Sequence, residues 1–180
     1  MPCLFLVFKK AIQSQVEGLV SWVAGPRIHV ELVPGNQNVA FTAFMWENFS
    51  VNEWGDRFTR ATHDTLSLQV SQEDHDRVCN FMTRQVARRV PYNYGDVLRC
   101  MLPERTVAHC EDVASEAAIT SLYCSQAVVL ALRFSLEDEG TAALRESLAA
   151  LNSRLTTPQA LYDAVAPHAE PADTFIAREF

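Results

Sequence analysis

Short runs of apolar residues, or of alternating apolar and polar residues, are typical of β-strands in four stretches of the chain. In an alternating run one set of side chains faces a core and the other faces solvent, with a period of two residues. The predicted strands lie at 3–8, 27–33, 38–45 and 66–70. The turn signal Pro34-Gly35-Asn36 joins the second and third strands as a hairpin, so we expect an antiparallel sheet.

Apolar residues at helical spacing occupy much of the remaining chain. The predicted helices lie at 12–23, 71–89, 97–101, from 124 to an acidic connection at 135–140, at 141–151 and at 157–162. The stretches 46–64 and 103–120 have no clean period and are predicted as loops. We therefore predict one α+β domain over residues 1–166, an antiparallel sheet packed on a buried helix, followed by an extended tail at 167–180.

The helix that begins near Cys124 carries the first candidate for chemistry. The run from Ala127 to Leu132 is apolar on every face, so a helix there is buried on all sides. Cys124 stands in its first turn, where backbone N–H groups and the positive end of the helix dipole favour a thiolate. Most free cysteines are instead small buried apolar residues. The position alone leaves both interpretations of Cys124 open.

A nucleophilic cysteine needs a base, and the candidates are His29, His63, His75, His109 and His168. His29 alone lies inside a predicted strand, where a rigid backbone holds a base within reach of its partner. His75 lies between two aspartates on a helix, in a pattern typical of a solvated face. A cysteine at a helix start and a histidine in a hairpin match the papain-type pair. The alternative for His29 is a strand histidine whose polar edge faces water.

Composition and charge exclude several other classes of function. The chain has 15 basic and 22 acidic residues and a formal charge of −7, which disfavours nucleic acid as a partner. Its five cysteines are odd in number and scattered, as in reduced intracellular proteins. No stretch approaches the roughly 20 apolar residues of a membrane span. We expect a cytoplasmic protein with no cofactor, no metal and no stable membrane insertion.

The order of short motifs along the chain resembles that of one known family. The motifs are Ile28 to Val33 with the strand after it, Tyr92 to Leu98, Tyr123-Cys124-Ser125-Gln126, and Thr157 to Tyr162. Together they resemble the circularly permuted papain-like thiol hydrolases, relatives of bacterial cell-wall peptidoglycan amidases and of lecithin retinol acyltransferase. In that family the histidine strand precedes the cysteine helix. Similar members occur in bacteria, phages and large DNA viruses, and the resemblance spans residues 5–162.

The resemblance implies a role for each matching residue. Cys124 would be the nucleophile, and His29 its general base and acid. The family's third residue, which orients the imidazole, falls near 41–43, where this chain has Thr42. Threonine accepts a hydrogen bond but cannot stabilise imidazolium by charge. Glu31, two residues from His29 on the same strand face, is therefore the alternative. The oxyanion would be held by the Cys124 N–H and a second donor, for which Tyr123 and Tyr92 are candidates.

These residues predict a cysteine-dependent acyl hydrolase or transferase of the amidase, peptidase or thioesterase type. Its substrate would be a peptide, an amide or an acyl ester. The alternative is a weak or inactive papain-like module that serves as a structural or binding component, for example of a virus particle. Thr42 in place of a stronger orienting group favours this alternative. Segments 46–64 and 167–180 would then contact partner proteins, in the host cytoplasm or the virion.

Overall fold

A six-stranded antiparallel sheet forms one layer of the structure, a computed structural model that describes residues 2–10, 25–35, 37–43, 47–53, 58–100 and 111–172. The strands are β1 (Cys3–Lys10), β2 (Arg27–Pro34), β3 (Val39–Thr42), β4 (Ser50–Glu53), β5 (His63–Gln69) and β6 (Glu170–Pro171). Their order across the sheet is β4-β3-β2-β1-β5-β6. The first strand therefore lies near the centre, with the β2–β3–β4 meander on one side and β5 and β6 on the other.

Five α-helices lie within the described residues: α1 (Gln72–Ala87), α2 (Tyr94–Cys100), α3 (Cys124–Ser135), α4 (Ala142–Ala149) and α5 (Pro158–Val165). Side-chain oxygens cap three of the helix starts, because Ser71 accepts from the Asp74 N–H, Asn93 from the Asp96 N–H and Thr157 from the Ala160 N–H. Pro158 follows the Thr157 cap at the first helical position, which needs no N–H donor.

The main hydrophobic core fills the space between one sheet face and the helices. Even-numbered residues of β1 and β2, such as Leu6 and Leu32, pack there against α3. The odd-numbered Val7 and Val33 belong to a smaller cluster on the opposite face, together with Ala40, Phe58 and Ala172. This split follows from the two-residue period of a strand. Helix α3 is buried around most of its circumference, as its continuous apolar run predicts.

The α+β class, the hairpin and the capped helix starts are confirmed. The loop prediction at 46–64 is wrong in part, because that stretch contains β4 and the first residues of β5. Residues 170–171, predicted as tail, pair with Leu66 and Ser67 of β5 and so extend the sheet. The predicted helix at 12–23, residues 103–110 of the loop predicted at 103–120, and the end of the tail at 173–180 lie outside the described residues.

Candidate active site

Cys124 is the first residue of α3, and its sulfur points at backbone N–H groups. Tyr123 before it is extended, with φ −118° and ψ 172°, and the helix begins directly after it. The backbone N–H groups of Val30, Ser125 and Cys124 itself lie near enough to the sulfur to act against a rise of its pKa. Only 6% of the residue is exposed. The start of α3 is thus docked on the backbone of β2, in a site closed to bulk solvent.

Burial decides the ionisation of this thiol. Removal from water raises the pKa of Cys124 to about 11, against the backbone N–H groups of Val30, Ser125 and Cys124, which act to lower it. Desolvation disfavours the charged form, and here it outweighs the favourable dipoles of a helix start. The direction is opposite to the one that the helix position alone predicts. At neutral pH the site therefore holds a thiol.

His29, Thr42 and Glu31 meet on the neighbouring strands of the hairpin. His29 Nε2 lies 3.0 Å from Thr42 Oγ1, a hydrogen bond whose donor depends on the tautomer of the ring. Glu31 Oε1 lies 3.7 Å from the same nitrogen, close enough to attract an imidazolium. Thr42 is 1% exposed and Glu31 4% exposed. The structure brings together the histidine and both candidates for its orienting residue.

The sulfur lies near the peptide unit of β2 that joins His29 to Val30. The Val30 N–H, which acts to lower the pKa of the Cys124 sulfur, belongs to the peptide bond between His29 and Val30. Strand alternation places Val30 on the face of α3, and His29 with Glu31 on the opposite face. The two groups are neighbours along the backbone of β2 and are separated by its plane.

The two tyrosines predicted as oxyanion donors have different surroundings. The Tyr123 hydroxyl lies 3.0 Å from the Ser153 carbonyl and 3.1 Å from the Thr156 carbonyl, so its proton is committed to backbone acceptors. Burial raises the pKa of the Tyr92 hydroxyl, and the charge of a Cys124 thiolate would raise it further. Tyr92 is therefore within electrostatic reach of Cys124, while Tyr123 anchors the loop that follows α4.

A buried polar cluster behind the cysteine is absent from the predicted site. The Asp96 carboxylate, 1% exposed, accepts from Asn93 Nδ2 at 2.7 Å and from Arg99 Nη1 at 2.5 Å. Gln126, two residues after Cys124, donates to it from 3.5 Å, and Arg154 lies 3.6 Å away. The turn-like Tyr-Asn-Tyr-Gly-Asp segment indicates an Asn cap, but long-range partners of Asp96 have no local signal in the sequence.

The other described histidines do not join this site. His75 is 1% exposed and its Nδ1 lies 3.2 Å from Asp76, so the prediction of a solvated face for it is wrong. His63 begins β5, where its Nδ1 lies 2.7 Å from the Thr62 hydroxyl. His168 Nε2 lies 2.8 Å from Ser147 Oγ. His109 lies outside the described residues.

Comparison of the chain with protein-family models, curated proteins and solved structures finds no match. Within the described residues, no group of three His, Cys, Asp or Glu side chains is arranged to hold a metal ion. Over the same part of the chain, no helix has the length and apolar character needed to cross a membrane. What the site does chemically is therefore inferred from its own geometry.

Proposed function

We propose that the protein is a cysteine-dependent acyl hydrolase or transferase that uses Cys124 as nucleophile and His29 as base. The observation that carries the proposal is the contact of His29 Nε2 with Thr42 and Glu31, next to the peptide unit that lies near the Cys124 sulfur. A base oriented by polar partners beside a nucleophile at a helix start is the arrangement that covalent acyl transfer requires.

The covalent geometry of histidine assigns the two ring nitrogens to different tasks. Nε2, at the far end of the ring, contacts Thr42 and Glu31. Nδ1 is the nitrogen nearer to the main chain, and the sulfur lies at the main-chain N–H that follows His29. Because β2 lies between the two groups, proton transfer from Cys124 to Nδ1 would go through one bridging water, while Glu31 and Thr42 stabilise the resulting imidazolium at Nε2.

The reaction begins from a thiol, because burial raises the pKa of Cys124 to about 11. Attack on an acyl carbon forms the sulfur–carbon bond as the thiol proton passes to His29. The oxyanion takes the N–H groups at the start of α3, which the sulfur releases on attack, with Tyr92 as a further donor. His29 then protonates the leaving amine or alcohol. Water or another acceptor, deprotonated by His29, releases the acyl group from Cys124.

The direct test is capture of the acyl-thiol intermediate with p-nitrophenyl butyrate, followed by mass spectrometry of proteolytic peptides. We expect a butyryl group on the Cys124 peptide of the wild type, and at least about tenfold slower acylation in His29→Ala because the base is gone. Cys79→Ser, which removes a half-buried thiol on α1, is the matched control and should acylate like the wild type. Acylation that is equally fast in His29→Ala would contradict the proposal.

A second candidate function, a binding module without catalysis, is favoured by the burial of Cys124. A thiol that is 6% exposed with a pKa of about 11 is also what a structural core cysteine would show. The exposed apolar side chains Tyr94 and Leu98, one turn apart on α2, would then belong to a contact surface. No acylation of the native protein, together with tight self-association or partner binding that Leu98→Ser abolishes, would favour this function.

A further inference from the structure

The Tyr92 hydroxyl is the further donor in the proposed acyl transfer, and its place depends on the segment that carries it. Tyr92 is half-buried against the main core, where its ring meets the Tyr94 ring at a centroid distance of 4.9 Å. Within the described part of the chain its hydroxyl has no hydrogen-bond partner, in contrast to that of Tyr123. A hydroxyl that is not committed to the protein can donate to a substrate if its position is fixed.

Backbone hydrogen bonds fasten the Tyr92 segment to the chain just before Cys124. The Leu122 N–H donates to the Pro91 carbonyl at 3.0 Å, and the Asn93 N–H donates to the Leu122 carbonyl at 2.9 Å. Tyr92 and Leu122 therefore pair as neighbours in a parallel ladder do. Because Leu122 lies two residues before Cys124, any movement of this segment changes the distance between the phenol and the sulfur.

The Asp96 carboxylate holds the residue that follows Tyr92. Asn93 Nδ2 donates to Asp96 Oδ2 at 2.7 Å, and the Asp96 N–H donates back to Asn93 Oδ1 at 3.0 Å. Gln126, in the first turn of α3, donates from Nε2 to the same Oδ2 at 3.5 Å, and its Oε1 lies 3.4 Å from Asn93 Nδ2. Asp96 and Gln126 thus join the Tyr92 segment to the turn of α3 that begins with Cys124.

The partners of Asp96 exceed what a helix start requires. Capping of α2 needs only the bond between the Asp96 N–H and Asn93. The carboxylate is nevertheless 1% exposed, with Arg99 Nη1 2.5 Å from one oxygen and Arg154 Nη1 3.6 Å from the other. Burial of a carboxylate is costly unless cations and hydrogen bonds replace its water. This arrangement fixes α2, α3 and the loop after α4 at one point.

We propose that Asp96 is a positioning residue for the acyl transfer, which holds the Tyr92 hydroxyl beside Cys124 through Asn93 and Gln126. The inference rests on the proposed function, in which the Tyr92 hydroxyl donates to the oxyanion. A donor that is fixed before the reaction stabilises the oxyanion without reorganisation, and a displacement of about 1 Å can cost about a hundredfold in rate. Asp96 acts only through the position of Tyr92.

A first experiment measures the surroundings of the Tyr92 hydroxyl without any substrate, by NMR of the full chain labelled with [13Cζ]tyrosine. Tyr92→Phe assigns its signal among the four tyrosines. We expect Asp96→Asn to shift the Tyr92 signal and to leave that of Tyr162, on α5, unchanged. Gln126→Met keeps the side-chain length and removes the polar contacts. It should shift the Tyr92 signal less, and it provides a folded variant if Asp96→Asn does not fold.

A second experiment measures the rate at which p-nitrophenyl butyrate acylates Cys124. We expect Asp96→Asn and Tyr92→Phe each to slow acylation about tenfold. The double variant should be no slower than Tyr92→Phe alone, because both changes remove the same interaction. A residue that only stabilised the fold would not show this dependence on Tyr92. Gln126→Met should slow acylation in the same direction, and circular dichroism checks that each variant is folded.

Asp74→Asn is the matched control for Asp96→Asn. Asp74 is also buried, also lies three residues after a side-chain cap, and also pairs with an arginine three residues on, Arg77. Its long-range partners are the Glu137 and Asp138 N–H groups, which follow the opposite end of α3. Asp74→Asn should therefore lose stability but acylate at the wild-type rate.

The outcomes separate this inference from the proposed function. The inference alone is overturned if the Tyr92 signal is unchanged in Asp96→Asn, or if Asp96→Asn slows acylation no more than Asp74→Asn does. It is also overturned if Asp96→Asn slows the Tyr92→Phe protein a further tenfold, because Asp96 would then act elsewhere. A wild type that carries no butyryl group on Cys124 would overturn the proposed function and this inference with it.

Discussion

At the Cys124 sulfur, three backbone N–H groups and the loss of bulk water act in opposite directions. The N–H groups favour the thiolate, and burial favours the thiol. The start of the helix can be predicted from the sequence, because a small polar triplet precedes an apolar run. The balance between these N–H groups and burial cannot be predicted from the sequence, because it depends on how completely Val30 and the neighbouring core exclude solvent. A local motif predicts the position of the sulfur, while tertiary packing sets its charge.

The raised pKa of Cys124 makes alkaline stability a measure of its burial. The folded protein keeps the thiol proton up to a pH of about 11, whereas the unfolded chain loses it near the ordinary thiol pKa of 9.0. The unfolded state therefore binds fewer protons above pH 9, and the free energy of unfolding falls as the pH rises from 9 to 11. We expect a loss of up to about 3 kcal/mol from this group.

Urea unfolding between pH 8 and 11, a range that covers the folded and unfolded pKa values of Cys124, measures this fall in the free energy of unfolding. Cys124→Ser has no titrating thiol, so its stability should fall less steeply over the same window. Cys79→Ser is the comparison, because burial also raises the Cys79 pKa to about 11 although that residue is only half-buried. Identical pH profiles for the wild type and Cys124→Ser would mean that the sulfur is not desolvated as the structure has it.

Thr42 and Glu31 divide the orientation of His29 between a hydrogen bond and a charge. We expect Thr42→Val to lower the acylation rate of Cys124 about tenfold, because it removes the hydroxyl 3.0 Å from Nε2 while the side-chain volume is retained. Glu31→Gln should lower it as well, and the loss should be greatest where the wild-type site carries an imidazolium. The measurement is the pH–rate profile of acylation in both variants, with circular dichroism to check folding.

If the pH–rate profiles of Thr42→Val and Glu31→Gln both matched the wild type, neither residue would orient His29. Thr156→Val is the matched control, since its hydroxyl is likewise buried but donates to the Asn152 carbonyl far along the chain from His29. It should lose stability without a change in the shape of the profile. The candidate residues themselves could be found by counting along the hairpin, because strand alternation fixes which side chains share a face. The packing of the Cys124 helix on the face of β2 opposite to His29 could not be found in this way, because it depends on tertiary structure.

At the scale of elements, α2 is attached to the start of α3 by a buried carboxylate. Asp96 on α2 contacts Gln126 on α3, and Arg154 from the loop after α4 completes its partners. Helix α2, helix α3 and the loop after α4 thus meet at the Asp96 carboxylate, close to the first turn of α3. Such a cluster restrains the segment that carries Tyr92 against α3, where the backbone of Tyr92 already pairs with Leu122.

We expect Asp96→Asn to destabilise the protein by about 2 to 4 kcal/mol, because it removes one partner of a buried ionic cluster. Asp163→Asn, on the exposed face of α5, makes the same chemical change at a surface pair with Gln159 and should cost less than about 1 kcal/mol. Chemical denaturation of both variants provides the comparison. Equal losses would show that burial of Asp96 contributes nothing to its strength as an anchor.

The strands that the sequence analysis missed are short edge strands. β4 has an exposed residue at every second position, and β6 has two residues, both exposed. Their pairing rests on backbone hydrogen bonds, so their side chains carry little hydrophobic period for a pattern to detect. The central strands are predictable because β1 carries a continuous apolar run and β2 alternates apolar with polar residues. An edge strand is identified by its pairing with the neighbouring strand, and the local sequence does not show that pairing.

For the whole molecule, the sheet separates a large core from a small one. The helices cover the face of Val30 and Leu32, and the described cluster on the other face is limited to Val7, Val33, Ala40, Phe58 and Ala172, with Phe5 packed against it. His29 and Glu31 share the face of the smaller cluster. The proposed base therefore stands on the less densely covered side of the sheet, and the nucleophile on the side of the main core.

Val30 and Val33 allow this asymmetry to be measured within one strand. They are the same residue type in β2, 1% and 0% exposed, and they face opposite sides of the sheet. We expect Val30→Ala to cost about 3 kcal/mol and Val33→Ala about 1.5 kcal/mol, because a thinner cluster relaxes more completely around the lost methyl groups. Val51→Ala, on the exposed edge strand β4, should change stability by less than about 0.5 kcal/mol. Denaturant unfolding of the three variants measures the difference, and equal costs for Val30→Ala and Val33→Ala would mean that the two faces are covered to the same depth.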